Sequence, residues 1–430
     1  MKLFGASKIE GNDLIIGGIK AQDLAKEYGT PLYVMDEGLL RNKCREYIES
    51  FQVKSENNRV AFAGKAFLTL EMCRIIKEEG LCLDVVSGGE LYTAYKANFP
   101  MDDIYFHGNN KSIDEIELGI KLGVGRFVVD NLWEMEKINE IAKKQNTVQR
   151  IYLRITPGIE AHTHDYIKTG QIDSKFGFAP VGNIIMEAVA MALELDNIKL
   201  TGLHCHIGSQ IFETEPFGDA AEVMLNLINS IRQELGYTIE ELDLGGGFGV
   251  YYSEGDEPKE IKEYCEAILN RVDKVCEKLS LKRPVLIIEP GRSIVANAGT
   301  TLYTVGSIKE IPEVRTYVSV DGGMGDNIRP ALYGAKYEAA VANKINQEVI
   351  KRVTVAGKCC ESGDILLNDV NLQNVESGDI LAVFGTGAYG FSMSSGYNRN
   401  LRPAVVFVKD NEAKVICKRQ TYEGLLSDEI

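Results

Sequence analysis

Three short stretches of the chain combine residue types that could act together on a small molecule. Lys65 follows the apolar run Val60–Ala63 and is flanked by Gly64 and Ala66, so little local bulk would screen its amine. A lysine in a dry pocket loses proton affinity and becomes a nucleophile able to form a Schiff base with a carbonyl. Taken alone, it reads as a solvated lysine at a strand end. Gly245-Gly246-Gly247-Phe248-Gly249 also follows an apolar run. It offers backbone N–H groups unobstructed by side chains, which suits a phosphate, whereas a plain flexible turn is the alternative. Its spacing is not the G-x-G-x-x-G of a dinucleotide site. Glu289-Pro290-Gly291-Arg292 sets a carboxylate three residues before a guanidinium. A carboxylate against a pyridine nitrogen keeps that nitrogen protonated, so the ring can take up electrons when a bond at a substrate Cα breaks. Arg292 suits a carboxylate or phosphate, although an isolated Glu–Arg pair is more often structural.

Two further stretches are open to more than one reading. In His204-Cys205-His206 the imidazoles point to one side of a strand. With His162 and His164 elsewhere they offer nitrogen ligands, but no carboxylate or thiol stands at a recognised metal spacing, so no metal is expected. Stacking of one imidazole on a cofactor ring is the better use, and a buried core histidine is the plain alternative. Cys359-Cys360-Glu361-Ser362-Gly363-Asp364 pairs thiols with carboxylates. It reads either as a proton donor or as a small buried hydrophobe.

The elements that must position these residues follow from the hydrophobic pattern. From about Arg59 to Ser293, short apolar runs alternate with amphipathic stretches. The runs are Val60–Ala63, Cys82–Val86, Ile104–His107, Arg126–Val129, Arg150–Ile155, Leu200–Ile207, Glu241–Leu244 and Val285–Glu289. Stretches such as Leu68–Glu79 repeat apolar residues at three- and four-residue spacing, as helices do. Eight strands alternating with helices over roughly 230 residues predict an α/β fold, a (β/α)8 TIM-like barrel, with a doubly wound open sheet as the competing arrangement. In such a barrel chemistry gathers at the carboxyl ends of the strands. Those ends carry Lys65, Asp84, Ser87, His107, His206–Ser209, the Gly245 loop and Glu289–Arg292.

After Ile294 the pattern turns to β-rich runs, Thr301–Ile308, Thr316–Val320, Lys351–Val355, Ile380–Phe384, Ala404–Val408 and Lys414–Lys418. These predict a mostly antiparallel β domain. Asn12–Lys20 has the same character before the helix-like Ala21–Tyr28. The division expected is therefore residues 1–35 packing with the β domain, 36–293 as the barrel, and 294–430 as the β domain.

Bulk properties narrow the partners. A chain of 430 residues, 45% hydrophobic, suits two cores rather than one. A net charge of −15 and a pI near 5.0 argue against a nucleic-acid or anionic-membrane surface. The nine cysteines are scattered, the usage of a reducing compartment. With no apolar leader at the start and no run of membrane-spanning length, a cytoplasmic location is expected.

In this order and over essentially the whole chain, the segments resemble the diaminopimelate decarboxylases, of the alanine-racemase-like (fold type III) pyridoxal-phosphate enzymes. The likeness is carried by Phe62-Ala63-Gly64-Lys65-Ala66, Leu83–Leu91, and His162-Thr163-His164 through Lys175-Phe176-Gly177. It continues through Gly202–Gln210, the Gly245 loop, Glu289-Pro290-Gly291-Arg292, Cys360–Asp364, Tyr389 and Tyr397-Asn398. The stretch from Thr169-Gly170-Gln171 to Phe178 resembles this family more than the related ornithine and arginine enzymes.

The resemblance implies a PLP-dependent carboxy-lyase removing CO2 from meso-2,6-diaminopimelate at its D-centre to give L-lysine, the last step of lysine biosynthesis. It implies Lys65, His206, Glu289 and Cys360 as the catalytic set. Lys65 would hold pyridoxal 5'-phosphate, with Asp84 as its partner, His206 stacked on the ring and Glu289 on the ring nitrogen. Ser209, Gly245, Gly246, Gly247, Gly291, Arg292 and Tyr389 would complete the cofactor site. Arg292, Arg329, Tyr333, Tyr389 and Glu361 would bind substrate. Cys360 and Glu361 would reach the neighbouring subunit of a homodimer with shared active sites, the thiol reprotonating Cα. Two positions depart from the family pattern: Phe62 replaces a tyrosine, and Gly-Pro-x-Cys-Glu-Ser reads Gly357-Lys358-Cys359-Cys360-Glu361-Ser362. Both thiols are therefore candidates, Cys360 by its place before Glu-Ser. The alternatives are a same-fold decarboxylase of carboxynorspermidine or arginine, a racemase, whose ring nitrogen would face an arginine rather than Glu289, and a catalytically silent binding homologue.

Overall fold

The computed structural model describes residues 1–159 and 174–430. His162, Thr163, His164 and Thr169-Gly170-Gln171 lie outside the described residues. The chain divides into two compact units. One comprises Cys44–Gly249 and Pro258–Gly291, the other Met1–Lys43, Val250–Glu257 and Arg292–Ile430.

Eight parallel strands close the first unit into a barrel: β1 Arg59–Ala63, β2 Cys82–Val85, β3 Ile104–Phe106, β4 Arg126–Val129, β5 Gln149–Ile155, β6 Ile198–Cys205, β7 Glu241–Asp243 and β8 Val285–Ile288. They pair in chain order, and β8 returns to β1 through Ile287 opposite Arg59 and Ile288 opposite Val60. Closure excludes the open sheet. It also explains why the runs are short and apolar, since helices cover the outer face while the strands' own side chains fill the centre. Ala61, Cys82, Tyr105, Val128, Tyr152 and Ile287 pack there together, small residues beside large ones. Arg126 donates to both oxygens of Glu241, at 3.0 and 2.7 Å, and the Tyr152 hydroxyl donates to Glu241 Oε2 at 2.6 Å. Arg126, Glu241 and Tyr152 thereby satisfy one another inside the barrel, while the Tyr105 hydroxyl is buried there without a partner.

At the carboxyl ends, four of the strands hand over to capped helices: α1 Leu70–Glu78, α2 Gly88–Lys96, α3 Ile113–Leu122 and α4 Leu132–Lys144. Thr69, Ser87, Ser112 and Asn131 each accept a backbone N–H of the following first turn. Such caps stop the chain from running on as strand and set how far each loop reaches over the barrel.

The second unit is built on a nine-stranded sheet, antiparallel in all but two pairings. Its long strand β9, Gly299–Ile311, pairs through its first half with Leu32–Asp36 on one side and with Ile380–Phe384 on the other. From Val305 on, β9 pairs with β10, Arg315–Val320, with an irregularity between Val305 and Ile308. Burial follows the pairing: β9 is wholly buried from Gly299 to Tyr303 and largely open from Gly306 onward. The expected runs correspond to Gly299–Ile311, Arg315–Val320, Val349–Ala356, Ile380–Phe384, Ala404–Lys409 and Glu412–Cys417. Leu14 and Ile16 of the N-terminal segment join the core with Leu302, Ala382 and Val406.

Among the described residues, Lys8–Glu10, Leu32–Asp36, Ala339–Val341 and Ile365–Gln373 escaped the pattern, and the longer two show why. Leu32–Asp36 lies between β9 and Ala404–Lys409 and is buried at every position. It runs straight into the helix Glu37–Phe51, because Asp36 itself accepts the Leu39 N–H at 2.9 Å, so no turn residue marks its end. Ile365–Gln373 carries Asn368, Asp369 and Asn371, and Asp369 has a φ of 51°. The register slips there, which breaks the alternation that would mark a strand. Among the described residues no helix is long and apolar enough to cross a membrane.

Candidate active site

Lys65 sits on the single turn Gly64–Ala66 that follows β1. Gly64 is buried against the chain of β2, where a Cβ would lie 2.8 Å from the Asp84 carbonyl oxygen. The Lys65 side chain itself is exposed. Desolvation of its amine by the protein, expected from the sequence, is therefore absent in the chain alone: the small neighbours that leave the lysine unscreened leave it open to water.

Beneath it lies a buried polar cluster. Glu289, just past β8, is 6% exposed, and its Oε2 lies 3.3 Å from His204 Nε2, in hydrogen-bonding reach. His107 Nε2, from the end of β3, lies 2.6 Å from Glu289 Oε1 and 3.8 Å from Asp84 Oδ1. That approach is too oblique for a full hydrogen bond, and Glu289 Oε1 and Asp84 Oδ1 are buried with no in-line donor. Burial pushes the Glu289 carboxyl up, but the two imidazoles outweigh it and hold the group well below the usual carboxylate range. Burial drives His204 down to about 3, so it is neutral at pH 7 and meets Glu289 through Nε2–H. Asp84 is raised by burial and by Glu289, against the pull of His107 and Lys65. Glu90, whose Oε2 accepts the Val86 N–H at 2.8 Å, is raised by burial to about 7.

Among the described residues, His107, His204 and Glu289 are the group whose geometry could ligate a metal. Two ligands around a tetrahedral ion stand about 3.4 Å apart. The 2.6 Å separation of His107 and Glu289 is that of direct contact instead. His206 is half-buried on the same strand end, and burial and Lys65 hold its imidazole well below the ordinary range. Its Nδ1 accepts the Gly246 N–H at 3.3 Å, so Nε2 carries the proton.

The loop after β7 is glycine by necessity. Added Cβ atoms would lie 2.6 Å from the Cys205 carbonyl oxygen at Gly245, 2.1 Å from that of Glu289 at Gly246 and 2.4 Å from that of Gly208 at Gly247. Gly245 and Gly247 also have φ of 67° and 115°, which other residues rarely adopt. At Gly291 a Cβ would meet Ala63 at 2.9 Å. Ser209, after β6, is half-buried. The loop carrying His107 is pinned by a buried ion pair absent from the sequence reading. Lys111 Nζ donates to Glu134 Oε1 at 2.6 Å, Val128 O at 2.9 Å and Gly108 O at 3.0 Å.

Within the β unit, Arg292 and Arg329 converge on Tyr252 and Tyr389. Tyr252 Oη accepts from Arg292 at 2.8 Å and from Arg329 at 3.3 Å. Arg329 also donates to Tyr337. The Tyr389 ring lies 4.8 Å from the Arg292 guanidinium and 5.9 Å from that of Arg329. Burial raises the Tyr252 hydroxyl, but the two arginines override it and the group falls below its ordinary value. Both guanidiniums are buried, and among the described residues Arg329 has no carboxylate partner. Tyr333 ends the short helix Arg329–Tyr333, half-buried. Tyr252 and Tyr337, not singled out beforehand, make the contacts with Arg329. Nothing in their spacing marks them.

Cys360 and Glu361 occupy a separate turn of the β unit. Cys360 is exposed, its N–H donating to Asn398 Oδ1 at 2.7 Å. Cys359 is half-buried, its thiol raised to about 11 by burial and Asp364, and its N–H donates to Asp364 Oδ2 at 2.7 Å. Of the two thiols, Cys360 is the open one. Glu361 is exposed, its Oε1 accepting the Gly363 N–H at 3.2 Å.

Residues 37–296 match the family model of the pyridoxal-dependent decarboxylases, pyridoxal binding domain. The chain is 51% identical over 427 residues to a diaminopimelate decarboxylase of Bacillus subtilis, covering 99% of this chain and 97% of the relative. The crystal structure of a diaminopimelate decarboxylase from M. jannaschii in co-complex with L-lysine superposes with a TM-score of 0.93 at 38% identity, over 99% of this chain and 97% of that one. The enzyme from Helicobacter pylori, also complexed with L-lysine, gives 0.87 at 33%, over 94% and 98%.

Proposed function

Because the chain belongs to the diaminopimelate decarboxylase family of pyridoxal-dependent decarboxylases, we propose that it removes CO2 from meso-2,6-diaminopimelate at the D-centre and yields L-lysine. The observation that carries the substrate is the buried Arg292–Arg329 pair among tyrosines, where Arg329 lacks a carboxylate partner. A buried guanidinium without a counter-charge is costly unless an anion completes it. A substrate with a second carboxylate does so, whereas a simple diamine would bring a cation to the same place.

The barrel residues fit pyridoxal phosphate. Buried Glu289 Oε1 without an in-line donor suits a protonated ring nitrogen, and backbone without side chains at Gly245–Gly247 suits a phosphate. When bound, the cofactor supplies an electron sink for the bond broken at Cα. The chain supplies the rest. Lys65 Nζ would hold the cofactor covalently, and its charge favours the ionised forms of Asp84 and Glu90. His206, neutral in the folded chain, would flank the ring, where a charged imidazole would oppose a protonated ring nitrogen. Ser209, Gly291 and Tyr389 would complete the cofactor contacts. Arg292, Arg329 and Tyr333 orient the distal carboxylate.

The partner subunit's Cys360 delivers the proton to Cα from Sγ, and the partner subunit's Glu361 reads the distal ammonium. The exposure of both residues supports this reading, and it makes the protein a homodimer. A location in the cytoplasm accords with it.

The test is to offer purified protein and pyridoxal phosphate meso-diaminopimelate, L-lysine, L-ornithine and L-arginine separately and record CO2. Release from the first alone is expected. Release from another member of the panel in its place would overturn the substrate.

A further inference from the structure

Glu289 is the group on which the electron-sink reading turns, and its carboxylate is anchored from two sides by residues far away in sequence. His204, on β6, lies 3.3 Å from Oε2, and His107, after β3, stands 2.6 Å from Oε1. Both imidazoles and the carboxylate are buried, and the two rings meet edge to face with centroids 4.8 Å apart. His107 is itself held rigidly. Its N–H donates to Val85 O at 2.8 Å, and the loop beyond it is locked by Lys111 on Glu134. It also lies between Glu289 and Asp84, with Nε2 2.6 Å from the one and 3.8 Å from the other.

We propose that His107 is a positioning residue for Glu289: it fixes the plane of that carboxylate from the Oε1 side and links it to Asp84. This rests on the reading of the barrel as a pyridoxal-phosphate site. A carboxylate free to rotate about its last bond would offer the ring nitrogen an oxygen only part of the time. Two imidazoles on opposite oxygens remove that freedom, so the acceptor is in place before the cofactor arrives. Since His107 acts through Glu289, its value disappears when Glu289 cannot hold a charge.

The test uses His107→Gln, whose amide nitrogen can occupy the Nε2 position, His107→Asn, whose amide falls short of it, and each combined with Glu289→Gln. In the Glu289 background, His107→Asn is expected to lower kcat about tenfold to a hundredfold, the range of a lost contact to a charged group, with KM changed less than about threefold. His107→Gln is expected to restore most of the loss. In the Glu289→Gln background, His107→Asn is expected to change kcat by less than about twofold. The same cycle run on the melting temperature of the cofactor-free protein is expected to show the coupling as well. Equal kcat for His107→Asn and wild type, or losses that multiply independently of Glu289, would overturn the proposal, as would additive melting shifts. Wild-type protein that releases no CO2 from any substrate is a failure of the functional reading. It is seen before any variant is made, and the cofactor-free cycle still measures the pairing.

Discussion

At the scale of single residues, burial decides which groups carry charge, and the candidate site uses both directions. Glu289 stays ionised because imidazoles surround it, while Asp84 and Glu90 are pushed toward their neutral forms by the same desolvation. Lys65 is exposed, so its reactivity is set by what binds over it. Lys65→Ala is expected to abolish any borohydride-reducible cofactor linkage and to cut CO2 release by at least about a thousandfold. A linkage surviving in that variant would move the assignment elsewhere. A second residue reports on stability. Burial lifts the Asp326 carboxyl to about 7, with the Tyr303 hydroxyl donating to it at 2.6 Å. The folded protein then holds a proton there that the unfolded chain gives up near pH 4, so stability falls as pH rises between about 4 and 7. Asp326→Asn removes this term. Its unfolding free energy should gain on that of wild type across that window, by on the order of 1 kcal/mol per pH unit, and parallel stability-versus-pH curves would refute the assignment.

At the scale of elements, the barrel's strand ends were legible because each strand is a short apolar run, and four of the loops close on a cap such as Thr69 or Ser87. The pattern alone therefore puts Asp84, His107, His206 and Glu289 at one end of the barrel. Their partners were not legible, because register and closure decide them: nothing local in Phe106-His107-Gly108 says that the imidazole will meet Glu289. The Gly245–Gly247 loop shows the opposite case, where composition is already the constraint. Gly246→Ala puts a methyl group 2.1 Å from the Glu289 carbonyl oxygen, and main chain cannot yield as a side chain can. A loss of about 1–3 kcal/mol in stability is expected, with cofactor affinity weakened at least about tenfold, both readable by melting and by cofactor titration. A variant that binds cofactor as wild type does would show that the loop is not its cradle.

At the scale of the whole molecule, the proposed roles divide between chains. In that proposal Lys65 belongs to one subunit's barrel, and Cys360 comes from the partner subunit. Lys65→Ala and Cys360→Ala proteins, each inactive alone, should therefore regain about a quarter of wild-type activity when mixed and allowed to exchange, because half the dimers then carry one complete site. No recovery after exchange has been verified would place both residues in the same chain's site.

The sequence by itself determined the eight-run period that becomes the barrel, the β character of the C-terminal region, and the motifs carrying Lys65, the glycine loop, Glu289 and Cys360. These are local properties, written in side-chain alternation, glycine content and near-neighbour spacing. Only the tertiary structure decided that Leu32–Asp36 becomes a central strand of the second sheet, that Val250–Glu257 leaves the barrel unit with Tyr252 to meet the two arginines, and that His107 abuts Glu289. It also decided that Cys360 is the open thiol and Cys359 the packed one. Such outcomes depend on strand pairing, barrel closure and burial summed over residues far apart in the chain, which no short window of sequence contains.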